Sequence, residues 1–186
     1  MERRSRQHWQ LWLRENHLLA VLSQVLTATG VEALIGTVES FNSFIAEARP
    51  HAGQIELARN IRSFLTDSVL AQQSVHIGLL GNDNIGLCQD RYALRTSSQW
   101  MGPQLEHLII AHRQVTVELN STTDSPLVDV VANKVHHGGN FQGVSVTSAM
   151  DKARSALQMM GKMSFAKSSE LVNQAMNKWL ASKSCC

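Results

Sequence analysis

Apolar residues recur at three- and four-residue intervals along most of the chain, and this spacing predicts helices rather than strands. The pattern covers residues 5–29, continues through 30–47, and returns in 54–65 after a turn at 50–53. Only three prolines occur in the sequence, so few positions break a long helix. The first third of the chain is therefore predicted to be almost entirely helical.

The second half repeats this pattern around two polar regions. A helix is predicted after Pro103, with apolar side chains on one face as far as Leu119. The polar, turn-forming residues 120–126 must end it, and 127–145, rich in Asn, His and Gly, is predicted to be irregular. A last helix is predicted over residues 147–180, with a Met-rich and small-residue face that is typical of close helix packing.

These elements predict an all-α fold, a bundle of long helices with irregular polar loops. The chain has 186 residues, which is about the length of one domain. Residues 1–186 are accordingly treated as one domain, with residues 181–186 expected to form a disordered tail.

Composition narrows the function classes. A hydrophobic fraction of 44% and a charged fraction of 17% describe a chain that can build a packed core. The net charge of +2 is too small to indicate a nucleic-acid partner, and no apolar window reaches the length of a membrane span. The basic N-terminal residues are not followed by the uninterrupted apolar run of a secretory signal. With only three cysteines, a reducing, cytoplasmic compartment is expected.

The segment at residues 89–95 concentrates recognition chemistry. Gln89, Tyr92 and Arg95 are spaced by three residues, which places them on one side of a helical or turn-like backbone. The Arg guanidinium can hold a carboxylate through two hydrogen bonds, the Gln amide can orient a polar group, and the Tyr phenol can donate to a developing anion. From these residues alone, a buried polar cluster that ties a loop to helices is an equally good interpretation.

Two other features carry weaker chemical signals. His136 and His137 are adjacent, and neighbouring residues rarely both reach one metal ion, so a metal site is not expected. Gly138 and Gly139 lack the Lys-Ser/Thr that completes a phosphate-binding loop, so nucleotide binding is not expected either.

Several long motifs in one order resemble the aromatic amino acid ammonia-lyases, the family of phenylalanine and histidine ammonia-lyases and related aminomutases. The resemblance runs from about Leu22 to Leu180, and the residues of its motifs favour phenylalanine-type enzymes of fungi. It is carried by seven stretches, which are residues 33–45, 48–56, 89–97, 120–129, 137–143, 161–166 and 169–173. Among them are Ala48-Arg49-Pro50-His51-Ala52-Gly53-Gln54, Gln89-Asp90-Arg91-Tyr92-Ala93-Leu94-Arg95, Asn120-Ser121-Thr122-Thr123-Asp124-Ser125-Pro126, His137-Gly138-Gly139-Asn140-Phe141-Gln142-Gly143 and Gly161-Lys162-Met163-Ser164-Phe165-Ala166.

This resemblance implies removal of ammonia from an aromatic amino acid, giving an aryl acrylate such as cinnamate, as in phenylpropanoid and other secondary metabolism. It implies that Arg95 binds the substrate carboxylate and that Gln89 and Tyr92 line the pocket. It places Phe141 beside the family's electrophile, methylidene-imidazolone, and puts Ser125 where the family has an Asn next to the substrate. It also implies a helical tetramer whose sites are shared between subunits.

The family's electrophile forms from an internal Ala-Ser-Gly, and no such tripeptide occurs in these 186 residues. The chain is therefore expected to be the central part of a lyase, a single partial domain that forms no cofactor and is inactive alone. Two alternatives stay open: a non-catalytic subunit that associates with a full-length lyase, and a part of an aminomutase, which shares the electrophile. The expected partners are an aromatic amino acid and a homo- or hetero-oligomer.

Overall fold

The computed structural model describes residues 2–73, 90–173 and 176, with residues 2–10 by their backbone alone. Within these ranges the secondary structure is mostly helical, which confirms the all-α prediction. The helices are α1 (Glu2–Ala33), α2 (Ser43–Ala48), α3 (Ala52–Phe64), α4 (Tyr92–Arg95), α5 (Ser97–Leu119) and α6 (Val144–Val172). A 3₁₀ turn (Val38–Phe41) precedes α2, and a short antiparallel hairpin pairs β1 (Leu127–Asp129) with β2 (Lys134–His136).

Helix α5 lies at the centre of the described fold, packed against α6, α3 and α1. Its buried side chains include Leu105, Leu108, Ala111 and Val115, which confirms the apolar face predicted for this segment. Of the small and Met-rich face predicted for α6, Ala153, Met160 and Met163 are buried, and Ala149 and Ala156 are buried beside them. Small side chains at three- and four-residue spacing let the two helix backbones approach closely.

The buried side of α1 is not the side that carries most of its large apolar residues. Its buried side includes Ala20, Thr27 and Ala28, together with Asn16, Ser23 and Gln24. Leu13 and Val31 are buried as well, but six larger apolar side chains in the middle of α1 are exposed: Leu18, Leu19, Val21, Leu22, Val25 and Leu26. Side-chain hydroxyls of Ser23 and Thr27 bond to carbonyls one turn earlier in α1, so this small polar side can be buried without unpaired hydroxyls.

The prediction of a continuous helix through residues 30–47 is wrong. Helix α1 ends at Ala33, where the Gly36 amide bonds the Val31 carbonyl at 2.8 Å and the Ile35 amide bonds the Glu32 carbonyl at 3.1 Å. This is the Schellman pattern of helix termination, with Ile35 in the left-handed region at φ 52°. The terminating residue is an isoleucine, so the usual glycine signal was absent at that position.

Three other boundaries also differ from the prediction. Helix α5 begins at Ser97, ahead of Pro103, and the 127–145 region contains the β1–β2 hairpin. Helix α6 begins at Val144 and ends at Val172, because Asn173 takes up an extended conformation at φ −75° and ψ 111°. A short polar side chain favours leaving the helix, which shortens the predicted 147–180 element. The predicted tail at 181–186 lies outside the described residues.

No helix in the described ranges is long and apolar enough to cross a membrane.

Candidate carboxylate-binding site

The short helix α4 carries the central part of the motif at residues 89–95. A carboxylate oxygen of Asp90 accepts a hydrogen bond from the Thr37 amide at 2.8 Å, which ties the start of this segment to the turn after α1. Burial raises the pKa of Asp90 above its usual range, and the bond from Thr37 acts in the opposite direction. Asp90 therefore anchors the segment to the turn after α1.

The same segment is also held by Glu170 near the end of α6 and by Met176, which follows that helix. The Arg91 guanidinium donates from Nη2 to the carbonyl oxygen of Met176 at 2.6 Å. Burial raises the pKa of Glu170, while the charge of Arg91 and a hydrogen bond from the Ala93 amide lower it. Glu170 therefore meets the first turn of α4, a position where a carboxylate complements the helix dipole.

Tyr92 and Arg95 project from this anchored turn. The Arg95 guanidinium carbon lies 5.8 Å from the centre of the Tyr92 ring, within the range of a cation–π contact. Tyr92 is 62% exposed and Arg95 is partly buried. Among the described residues no carboxylate forms an ion pair with Arg95, so its fork of donors remains available to an anion. The predicted spacing thus brings the two side chains together.

No hydrogen bond, ion pair or ring contact joins Phe141 or Ser125 to Arg95 within the described residues. Phe141 is 70% exposed and lines an open cavity of about 440 Å³ with Gln142, Gly143, Val144 and Thr147. Ser125 is partly buried, and its amide donates to the Asp124 carboxylate at 2.9 Å. Gln89 lies outside the described residues, so its predicted place beside Tyr92 stays a prediction.

The side chains that position α4 were not assigned by sequence reasoning. Asp90 and Arg91 stand inside the motif, but a linear pattern shows neither the Thr37 amide nor the Met176 carbonyl that they bond. Glu170 lies about eighty residues further along the chain, and no local spacing relates it to α4. In the described part of the chain, no three metal-ligating side chains cluster.

Comparison with known sequences decides the family. Residues 10–184 match the sequence profile of the aromatic amino acid lyases. The chain belongs to this family. It is 55% identical over 170 residues to a phenylalanine ammonia-lyase of Aspergillus hancockii, covering 91% of this chain and 23% of that protein. It is 51% identical over 163 residues to a phenylalanine aminomutase of Talaromyces islandicus, covering 88% and 23%.

Solved structures agree with this assignment. The crystal structure of phenylalanine ammonia-lyase from Rhodosporidium toruloides superposes with a TM-score of 0.80 at 45% identity, covering 90% of this chain and 24% of that one. The phenylalanine aminomutase of Pantoea agglomerans also gives a TM-score of 0.80, at 28% identity, covering 90% and 34%. The described helices are thus those of the ammonia-lyase fold. The chain spans about a quarter of the length of the curated relatives it matches.

Proposed function

We propose that this aromatic amino acid lyase chain binds the carboxylate of phenylalanine, or of its cinnamate product, through Arg95. The observation that carries the proposal is the Arg95 guanidinium, which has no carboxylate partner among the described residues and lies against a largely exposed phenol ring. An aryl carboxylate could pair its anion with the guanidinium and place its ring beside Tyr92. Gln89 and Phe141 are proposed to complete the pocket, with a smaller contribution from Ser125.

The reaction proposed for the complete site is loss of ammonia from phenylalanine, in which the C–N bond and a β C–H bond break. The family's methylidene-imidazolone supplies the electrophile for this step, and it forms from Ala-Ser-Gly. These 186 residues contain no Ala-Ser-Gly, so they do not provide that group. The proposed role of this chain's own residues is binding. Arg95 holds the carboxylate, and Asp90 and Arg91 hold α4, which carries Arg95, in place.

A binding experiment tests this role directly. The purified chain would be titrated with cinnamate and with cinnamamide, which has the same ring but no negative charge. We expect Arg95→Gln to weaken cinnamate binding about 10- to 100-fold, as loss of a charge-assisted pair requires, and to leave cinnamamide binding unchanged. Arg113→Gln removes an equal charge from an exposed position on α5 and is the matched control. Equal cinnamate binding by wild type and Arg95→Gln would refute the proposal.

Catalysis is tested separately. We expect the purified chain to release no cinnamate from phenylalanine, because the electrophile's precursor is absent from its sequence. Measurable growth of cinnamate absorbance would contradict this expectation. In an assembly that does turn over, cinnamate as product indicates a lyase and β-phenylalanine an aminomutase, since relatives of both kinds are similar to this chain.

A second proposed role is association with a full-length lyase, in the cytoplasm. The exposed apolar side chains of α1, including Leu18, Leu22 and Leu26, form a face larger than isolated surface residues would explain. We propose that this face packs on helices of a lyase assembly. Co-expression with a full-length phenylalanine ammonia-lyase should give one co-eluting species in size-exclusion chromatography. Leu22→Lys should separate the two proteins, whereas Leu70→Lys, at 55% exposure outside any helix, should not.

Separate elution of the wild-type chain, with the activity of the lyase unchanged, would rule this association out.

A further inference from the structure

Two histidines on different helices meet at the surface between α1 and α5. The Nε2 atom of His17 lies 3.3 Å from the Nδ1 atom of His112. Their ring centres are 5.3 Å apart and the ring planes are inclined by 61°. Both side chains are exposed, so solvent and ions can reach the two nitrogens. This pair lies outside the carboxylate-binding site and has no role in it.

The two nitrogens are within the distance of a long hydrogen bond, and their separation also matches that of two ligands of one metal ion. The modal length of N–H···O hydrogen bonds is about 2.9–3.0 Å, shorter than the 3.3 Å found here. Two imidazole nitrogens each about 2.0–2.1 Å from a tetrahedral zinc ion are separated by about 3.3–3.4 Å. The same geometry puts the two ring centres roughly 5 Å apart, close to the spacing observed here.

The backbone beneath the pair is held firmly. Asn16 and Ala20 flank His17 on the buried side of α1, and Ala111 and Val115 flank His112 on the buried side of α5. A pair of ligands fixed by packed helices loses little freedom on binding an ion. Partial burial lowers the pKa of His17, and the charge of His112 acts in the same direction.

We propose that His17 and His112 form a surface clamp for one divalent transition-metal ion, with zinc the best-suited ion. No third metal-ligating side chain joins them within the described residues, so water fills the remaining coordination positions. Imidazole ligands suit zinc, copper and nickel, whereas calcium and magnesium prefer oxygen. The bound ion cross-links α1 to α5 and is exchangeable, because only two protein ligands hold it.

The test is titration of the full chain with Zn²⁺, after alkylation of its thiols so that cysteines do not contribute ligands. The wild-type chain should bind one equivalent of Zn²⁺, and only substitutions in this histidine pair should weaken that binding. His17→Gln and His112→Gln should each weaken that binding at least tenfold. Glutamine can replace an imidazole in a hydrogen bond but is a poor zinc ligand, so these variants separate the two interpretations. His107→Gln, an exposed histidine on the same α5, is the matched control and should bind as wild type.

A second measurement uses stability. Because an ion that bridges two helices binds only the folded chain, Zn²⁺ should raise the melting temperature of wild type and of His107→Gln, and not that of either pair variant. Circular dichroism without metal should show all variants folded, since the substituted side chains are exposed. The proposal is overturned if wild type binds no stoichiometric Zn²⁺, if the pair variants retain its affinity, or if His107→Gln loses as much affinity as they do.

Discussion

Gly53 in α3 and Gly102 in α5 lie so close that a side-chain carbon on Gly53 would overlap the Gly102 carbonyl oxygen. A carbon on Gly102 would lie 2.6 Å from the amide nitrogen of Gln54, so the reverse substitution is blocked as well. The Gly53 amide donates to the Glu106 carboxylate at 2.9 Å, which fastens the start of α3 onto α5. Two glycines therefore set the distance between two of the central helices.

Gly53→Ala should lower the free energy of unfolding by at least about 1–3 kcal/mol, because the added methyl group forces two backbones apart. Gly161→Ala is the control, since a side-chain carbon there meets nothing within 4 Å. That change should stabilise α6 by about 0.5–1 kcal/mol through helix propensity. Urea denaturation of both variants measures the difference, and a similar effect of the two substitutions would contradict the close approach.

Ile35 ends α1 in a left-handed conformation at φ 52°, which is unfavourable for a β-branched residue. Ile35→Asn should raise the free energy of unfolding by about 1 kcal/mol, because Asn tolerates this backbone. Ile109→Asn, on α5, is matched in exposure at 38% against 43% for Ile35. Ile109 has no such strain to relieve, so Ile109→Asn should lower the free energy of unfolding. Thermal or urea unfolding should therefore show changes in stability of opposite sign for the two variants. An equal loss of stability in both would show that Ile35 is unstrained.

Lys167 makes stability depend on pH. Its ammonium group donates to the Thr27 hydroxyl across the α1–α6 interface, and burial lowers its pKa from 10.5 to about 8. Between these two values the unfolded chain binds a proton that the folded chain does not. Stability should therefore fall as pH decreases from about 10.5 to 8 and then level off.

Lys167→Met should remove this pH dependence and raise the free energy of unfolding at pH 7 by on the order of 1–3 kcal/mol. Lys162→Met, at an exposed position on the same helix, should leave the wild-type pH profile in place. The measurement is urea denaturation from pH 7 to 10.5. A wild-type profile that is flat over this range would show that Lys167 keeps an ordinary pKa in the fold.

Arg91 is expected to position Arg95 without touching the ligand. Arg91→Gln removes the 2.6 Å bond to the Met176 carbonyl and the positive charge near Glu170, so α4 loses one of its two anchors. Cinnamate binding should weaken severalfold, because a less ordered Arg95 side chain loses more conformational entropy when it binds the ligand. Tyr92-to-Arg95 amide hydrogen exchange should accelerate in the same variant. Weaker binding without faster exchange would mean that Arg91 acts on the ligand itself.

The helical content, the face of α5, the Met-rich side of α6 and the placement of Tyr92 beside Arg95 all follow from local spacing. A periodic pattern reports which side chains share one surface of a helix, and a three-residue spacing suffices for two neighbours. The same reasoning failed at residue 33, because the chain ends α1 with an isoleucine where a glycine is usual. Sequence motifs were also sufficient to indicate the family.

Tertiary structure alone decided which side of α1 is buried and which residues hold α4. The apolar spacing of α1 predicts a helix but does not show which side is buried. In the fold, the side that contains Ala20, Ser23 and Thr27 is buried, in a helix that packs against α5 and α6. The hydrogen bonds from the Thr37 amide to Asp90 and from Arg91 to the Met176 carbonyl join residues more than fifty positions apart. Such pairings depend on how helices pack in three dimensions, which no linear spacing records.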